Sequence, residues 1–252
     1  MSPRTTPAGA ATGPDTDTVL QTEGVTKEFG GLTAVDDVDF GVDAGELHCL
    51  IGPNGAGKST LLGLITGQLQ PTAGRVFYQG REITELEPFE RVREGISLKF
   101  QSPNLFGALS VRENLRVPLQ RTSEGDSTRR ASALLEKVGL TAGLLADRAS
   151  QLSHGQQQRL EVAMALATDP DLLLLDEPVA GLSVEERTRV AELLRSLNAG
   201  GLTFVVVEHD IDFVEQVADT VTVLHQGECF RQGSIEAIRD DDEVRRIYLG
   251  GT

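Results

Sequence analysis

Apolar and polar positions divide the chain into three stretches with different periods. From Val19 to about Phe77, short apolar strand candidates (Val19 to Leu20, Ala34 to Phe40, Glu46 to Ile51, Arg75 to Tyr78) alternate with turns bearing Gly24, Gly30, Gly31, Gly45 and Gly74. A single helix interrupts them, starting at Lys58 and stopping by Gly67. The middle, about 101–168, reads mostly helical: Ala131 to Val138 and Gln156 to Ala167 repeat apolar residues at three- and four-residue spacing. The polar run within Arg121 to Arg130 reads as a solvated loop between helices. Beyond it, Asp171 to Leu175 and Thr203 to Val207 are unbroken apolar runs, the pattern of central strands covered on both faces. An amphipathic helix, Val184 to Asn198, closes at Gly200 and Gly201 and separates them. Strand, helix, strand in that order predicts a parallel α/β core. A strand pair around Val221 to Phe230 and a short helix through Ile247 complete the folded part. Residues 1–18, rich in Thr, Pro, Ala and Gly without apolar periodicity, read as a loose tail ahead of one folded unit spanning 19–252.

Composition narrows the function classes. With 38 Asp plus Glu against 23 Lys plus Arg, the net charge of −15 opposes a broad nucleic-acid or anionic-lipid surface. The only lysines are Lys27, Lys58, Lys99 and Lys137, and this acidic, lysine-poor balance suits solvation in a very salty cytoplasm. Cys49 and Cys229 lie in apolar strand-like stretches outside any metal or redox spacing, so both are expected to be buried reduced thiols. No apolar run approaches the roughly 20 residues that span a bilayer, and the start lacks the apolar core of a signal peptide. A location inside the cell is expected, with any membrane role coming from other subunits.

The sharpest motif is Gly52-Pro53-Asn54-Gly55-Ala56-Gly57-Lys58-Ser59, continued by Thr60, between an apolar strand and a helix. Glycines at that spacing let backbone N–H groups converge on phosphate oxygens at a helix start. Lys58 reaches the terminal phosphates and Ser59 supplies an oxygen to Mg²⁺. A second strand, Leu172 to Leu175, ends abruptly in Asp176 and Glu177. Asp176 is expected near Mg²⁺, and Glu177 is placed to take a proton from an attacking water. His209 follows the strand Thr203 to Val207 and stands at the same strand-end edge, close to the terminal phosphate. Gln101 follows Leu98-Lys99-Phe100; its amide is a candidate for touching Mg²⁺ or the water, and alone it reads equally as a surface side chain.

Leu152-Ser153-His154-Gly155-Gln156 resembles the signature of ABC ATPases, upstream of the acidic strand as in that family. Ser153 with Gln156 also forms a capping box, and a capped helix start is itself an anion site. The resemblance covers nearly the whole chain after Val19. It implies a P-loop NTPase fold of the ABC ATPase kind: a parallel-sheet core, an antiparallel β subdomain and a helical signature subdomain at about 101–168. It further implies Mg²⁺-dependent ATP hydrolysis in a head-to-tail dimer, where Ser153, Gly155 and Gln156 face the nucleotide on the other subunit's phosphate loop. By the same resemblance Phe29 stacks on adenine, Gln101 belongs to the Q-loop and His209 to the switch loop.

Two departures stand out: His154 replaces the usual signature glycine, and Ser183 stands where most relatives carry an Asp. With these, Asp-Glu-Pro-Val-Ala-Gly (176–181), Val-Glu-His-Asp-Ile-Asp-Phe-Val (207–214) and the ending Tyr-Leu-Gly resemble the urea ABC transporter ATPases (D subunit), which belong with the branched-chain amino acid importers. The implied partners are two transmembrane permease subunits, a second related ATPase or another copy of this chain, and an extracytoplasmic solute-binding protein. The implied location is the cytoplasmic face of the membrane, with no nucleic acid involved. A branched-chain amino acid importer is the alternative within transport. A non-transport ABC ATPase is the alternative outside it, and that class tends to carry paired cassettes or coiled-coil insertions. Ser102 to Leu109 is the expected cleft for a permease coupling helix.

Overall fold

The structure is a computed structural model, and it describes residues 18–99, 105–119 and 127–249. Two sheets organise it. The first is antiparallel, in the order β2-β1-β4-β5, from β1 (Thr18–Phe29), β2 (Leu32–Asp43), β4 (Ala73–Tyr78) and β5 (Arg81–Glu82). The second runs β10-β9-β3-β8-β7-β6, from β3 (Leu47–Ile51), β6 (Ile96–Lys99), β7 (Leu172–Asp176), β8 (Thr203–Val207), β9 (Thr220–His225) and β10 (Glu228–Gly233). Strands β9, β3, β8, β7 and β6 are mutually parallel, and only β10 is antiparallel to its neighbour.

The unbroken apolar strands follow from burial on both faces. Leu47, Cys49, Ile51, Leu173, Leu175, Phe204 and Val206 pack into one core. Their alternates Leu50, Leu172, Leu174, Val205 and Val207 pack into another, as the two-residue strand period requires. The first core is closed by α3 (Val111–Leu119), α4 (Ser127–Lys137), α5 (His154–Leu166), α6 (Val184–Ala199) and α7 (Ile211–Val217). The second is closed by α1 (Lys58–Ile65) and the antiparallel sheet. Helices α2 (Pro88–Glu94), α8 (Ile235–Asp240) and α9 (Asp242–Leu249) complete the described part.

Arg91, on α2, is only 1% exposed. Its guanidinium donates to the carbonyls of Leu64 and Ile65 (both 2.7 Å), Thr84 (2.7 Å) and Leu86 (3.0 Å). It thus satisfies carbonyls at the end of α1 that have no intrahelical partner.

Three expectations are corrected. Gly24 and Gly74 are not turns: Gly74 lies within β4 at φ +83°, while β1 runs through Gly24 to Phe29, and Gly24 sits at a register shift with φ +55°, its N–H donating to Asp39 Oδ1 at 2.7 Å. A bulge needs the same glycine chemistry as a turn, so the sequence signal was ambiguous. The polar loop ends earlier than expected, because α4 begins at Ser127; its first turn is solvated while Ala131, Leu134 and Leu135 are buried. Cys229 is an exposed free thiol on the edge strand β10, whereas Cys49 is buried on central β3. The expected tail at 1–18 lies outside the described residues apart from Thr18, as does most of the polar run before Ser127.

Candidate functional site

The parallel order of the large sheet brings the carboxyl ends of β3, β7 and β8 to one edge, where open α/β sheets place ligands. The loop from Gly52 to Gly57 leaves β3 and enters α1 with Lys58 as its first residue. Two glycines there are dictated by crowding. A Cβ on Gly52 would lie 2.2 Å from the Leu224 carbonyl oxygen, and one on Gly57, at φ +104°, would lie 2.4 Å from that of Ala34. A Cβ on Gly55 would meet nothing, leaving backbone open to a ligand. The Lys58 ammonium is buried within this loop, donating to the carbonyls of Gly52 (2.7 Å) and Pro53 (3.1 Å). Burial pulls its pKa down, while the charges of Glu177, Asp176 and Glu208 oppose that shift. The phosphate loop and the acidic strand end therefore share one electrostatic site.

Asp176 ends β7, and burial raises its pKa, with the neighbouring Glu177 charge adding to the rise and Lys99 and Lys58 opposing it. Glu177 turns off the strand at φ +47°, its N–H held by the Val207 carbonyl at 2.9 Å. That uncommon conformation for a non-glycine residue is where functional sites store strain. His209 Nδ1 lies 3.7 Å from Glu177 Oε1. Lys58, Asp176, Glu177 and His209 thus converge as the motifs predict, with Ser59 and Thr60 in the first turn of α1.

The oxygen donors here, the Ser59 hydroxyl and the Asp176 carboxylate, suit Mg²⁺. That ion is held by one or two protein oxygens and completes its shell with phosphate and water. No group of three or more His, Cys, Asp or Glu that could hold a metal occurs among the described residues. Gln101, the remaining proposed metal contact, lies outside the described residues.

Glu208 is a residue the sequence reading missed. Fully buried, it accepts from the Val179 N–H through Oε1 (3.2 Å) and from the His209 N–H through Oε2 (3.1 Å). One carboxylate therefore fastens the segment after Glu177 to the segment bearing His209. Burial raises its pKa against these bonds. The only sequence signal was an acidic residue directly after an all-apolar strand.

The remaining predicted contacts stand elsewhere. Ser153 caps α5 in the expected box: its hydroxyl accepts from the Gln156 N–H, and Gln156 Oε1 accepts from the Ser153 N–H. Within this chain that helix start meets residues 180–186 and not the phosphate loop: His154 Nε2 reaches the Ala180 carbonyl at 3.2 Å, and Glu186 lies over Gly155. Phe29 is exposed at the tip of the β1–β2 hairpin with the Lys27 ammonium 5.3 Å from its ring centre; Ala34, further along β2, abuts Gly57. A groove of about 400 Å³ is walled by Pro88, Val92, Val117, Pro118 and Met164. The buried Lys99–Glu161 ion pair (3.5 Å) lies at its base. Exposed Phe106 lies in the expected coupling stretch, of which 102–104 are outside the described residues.

A phosphate loop, an acidic strand end and a histidine on one sheet edge define an ATP-binding cassette with ATPase activity. The chain belongs to the ABC transporter family, whose pattern it matches over residues 35–180. It is 37% identical over 251 residues to the high-affinity branched-chain amino acid transport ATP-binding protein BraF of Pseudomonas aeruginosa, covering 92% of this chain and 98% of that one. Its fold is similar to the ADP conformation of MJ1267, an ATP-binding cassette of an ABC transporter (TM-score 0.86, 32% identity, 92% of this chain and 99% of that chain). It is also similar to the dimeric post-hydrolysis state of the cassette MJ0796 bound to ADP and Pi (TM-score 0.77, 31% identity, 86% and 98% covered).

Proposed function

We propose that this chain is the ATP-hydrolysing subunit of an importer for branched-chain amino acids, working as a dimer beneath two transmembrane permease subunits. The observation that carries the enzymatic part is the convergence of Lys58, Asp176, Glu177 and His209 on one sheet edge. In this reading the backbone N–H groups of 52–57 and the Lys58 ammonium bind the β- and γ-phosphates of ATP, and Phe29 stacks on adenine. Ser59 and Asp176, with Gln101, would hold Mg²⁺, whose charge would offset that of the phosphates. Glu177 takes the proton of the water that attacks the γ-phosphorus, His209 orients the water and transferred phosphoryl group, and ADP leaves. Positioning and charge stabilisation account for most of the catalysis in such transfers. In this reading Ser153, Gly155 and Gln156 serve the nucleotide on the other subunit of a dimer; the related cassette MJ0796 is itself dimeric, with ADP and Pi bound.

No helix among the described residues is long and apolar enough to cross a membrane, so membrane engagement in this reading comes through docking. The stretch Ser102 to Leu109, on which Phe106 is exposed, is the proposed seat for a permease coupling helix, and an extracytoplasmic binding protein delivers the solute.

The branched-chain reading is supported by BraF, similar over nearly its whole length. The narrower urea reading rests on short segments (152–156, 176–181, 207–214, 221–227 and the Tyr-Leu-Gly end), and the alternative is the better supported. Co-reconstitution with the permease pair and solute-binding protein tests this. Stimulation of ATP turnover by leucine, isoleucine or valine is expected; stimulation by urea alone restores the urea reading, and stimulation by neither removes both.

A further inference from the structure

We propose that His154 is a positioning residue: it clamps the turn that follows Glu177 to the start of the signature helix α5. The role in catalysis rests on the cassette reading above.

His154 Nε2 lies 3.2 Å from the Ala180 carbonyl oxygen. A carbonyl only accepts, so Nε2 carries the proton in this contact. The imidazole also lies against Gly181, where a Cβ would come within 3.4 Å of Nε2. The segment it grips is a compact turn: the Ala180 N–H donates to Glu177 O (3.3 Å) and the Leu182 N–H to Val179 O (3.2 Å). From inside, Glu208 Oε1 holds the Val179 N–H. The turn carrying Glu177 is thus fastened by a buried carboxylate on its inner side and by His154 on its outer side.

The same helix start is gripped again by α6. The Glu186 carboxylate accepts from the Ser183 hydroxyl and N–H and lies over Gly155, where a Cβ would stand 2.6 Å from Oε1. The next residue, Arg187, pairs with Asp210, which caps α7 and follows His209. A signature helix that shifts on meeting a nucleotide therefore moves the turn bearing Glu177 directly. A glycine at 154 has no side chain to make this link.

Two measurements on the full chain test the clamp. The chain has four histidines, so loss of a signal in His154→Gln identifies His154 in imidazole ¹⁵N spectra. A protonated Nε2 is expected above pH 8; an Nδ1–H tautomer overturns the clamp whether or not the protein hydrolyses ATP. In turnover assays, His154→Gly is expected to lower kcat roughly 3- to 10-fold, the loss of about one hydrogen bond, with KM for ATP within twofold. His154→Gln, whose amide donates from nearly the same place, is expected to keep at least half of kcat. Wild-type kcat in His154→Gly, or equal loss in both variants, contradicts the proposal. Absence of turnover in the wild-type chain counts against the cassette reading instead and leaves the spectra to decide the clamp.

Discussion

His209 Nδ1 stands 3.7 Å from Glu177 Oε1, one at the end of β8 and the other at the end of β7, joined by the Glu177 N–H to Val207 carbonyl bond. That separation is an ion-pair distance and not a hydrogen bond, so the two side chains face a common space without locking each other. His209 is the more exposed partner, at 61% against 21% for Glu177. His209→Ala is expected to lower turnover roughly 10²-fold through misplacement of reacting groups, with nucleotide affinity within a few-fold. Phosphate release and nucleotide titration on the same variant check this, and a parallel loss of affinity argues for a binding role instead.

Glu208 makes two backbone bonds with two carboxylate oxygens, and an amide can supply an acceptor to only one of them. Glu208→Gln should therefore cost about 1–3 kcal/mol of stability, the loss of one charge-assisted bond in a buried site. It should also lower kcat, because both the Glu177 turn and the His209 segment loosen. Urea unfolding beside steady-state kinetics measures the two effects.

These two residues mark the limit of what the sequence displays. Asp176, Glu177 and His209 were legible because they lie at or just past strand ends, and a parallel sheet brings such ends to one edge. The phosphate loop is a single local segment whose glycines declare it. Glu208 looks like any acidic residue beside a histidine; its burial arises only when the 177–182 turn folds against it. His154 was recognisable as a departure, but its contact with Ala180 depends on how α5 meets the turn. Gly24 and Cys229 failed for a related reason: a bulge and a turn share glycine chemistry, and an apolar-looking edge strand still has an open face.

Arg91 is structural in the same hidden way. Arg91→Met keeps most of the side-chain volume but removes the donor to the carbonyls of Ile65, Thr84 and Leu86, and leaves Leu64 only the Gly67 N–H (3.3 Å). Each buried unpaired group is expensive, and a total loss of about 2–4 kcal/mol is expected. Denaturant unfolding checks this; a loss under 1 kcal/mol shows that water reaches the carbonyls.

Glu46 makes stability depend on acid. Burial alone raises its pKa, but the close approach of His48 Nδ1 (3.2 Å) and Thr220 and the hydrogen bond from the Asp43 N–H (2.8 Å) outweigh that and lower it to about 2. A folded pKa below the unfolded one stabilises the protein above the unfolded value near 4.5, and that contribution falls away as pH drops toward 2. Its partial contact with water limits the contribution to about 1–2 kcal/mol. Wild type should exceed Glu46→Gln in stability by that amount at pH 7, and the gap should narrow below about pH 5 and close only near pH 2. A gap that is constant with pH contradicts the assignment.

The central claim is that this chain hydrolyses ATP with Glu177 as the proton acceptor. ATP turnover by the purified chain, wild type against Glu177→Gln, with gel filtration in Mg-ATP, tests it most directly. The account predicts a turnover loss of about 10²–10⁴-fold with nucleotide binding retained and an ATP-stabilised dimer accumulating in the variant. Turnover at the wild-type rate in Glu177→Gln contradicts it.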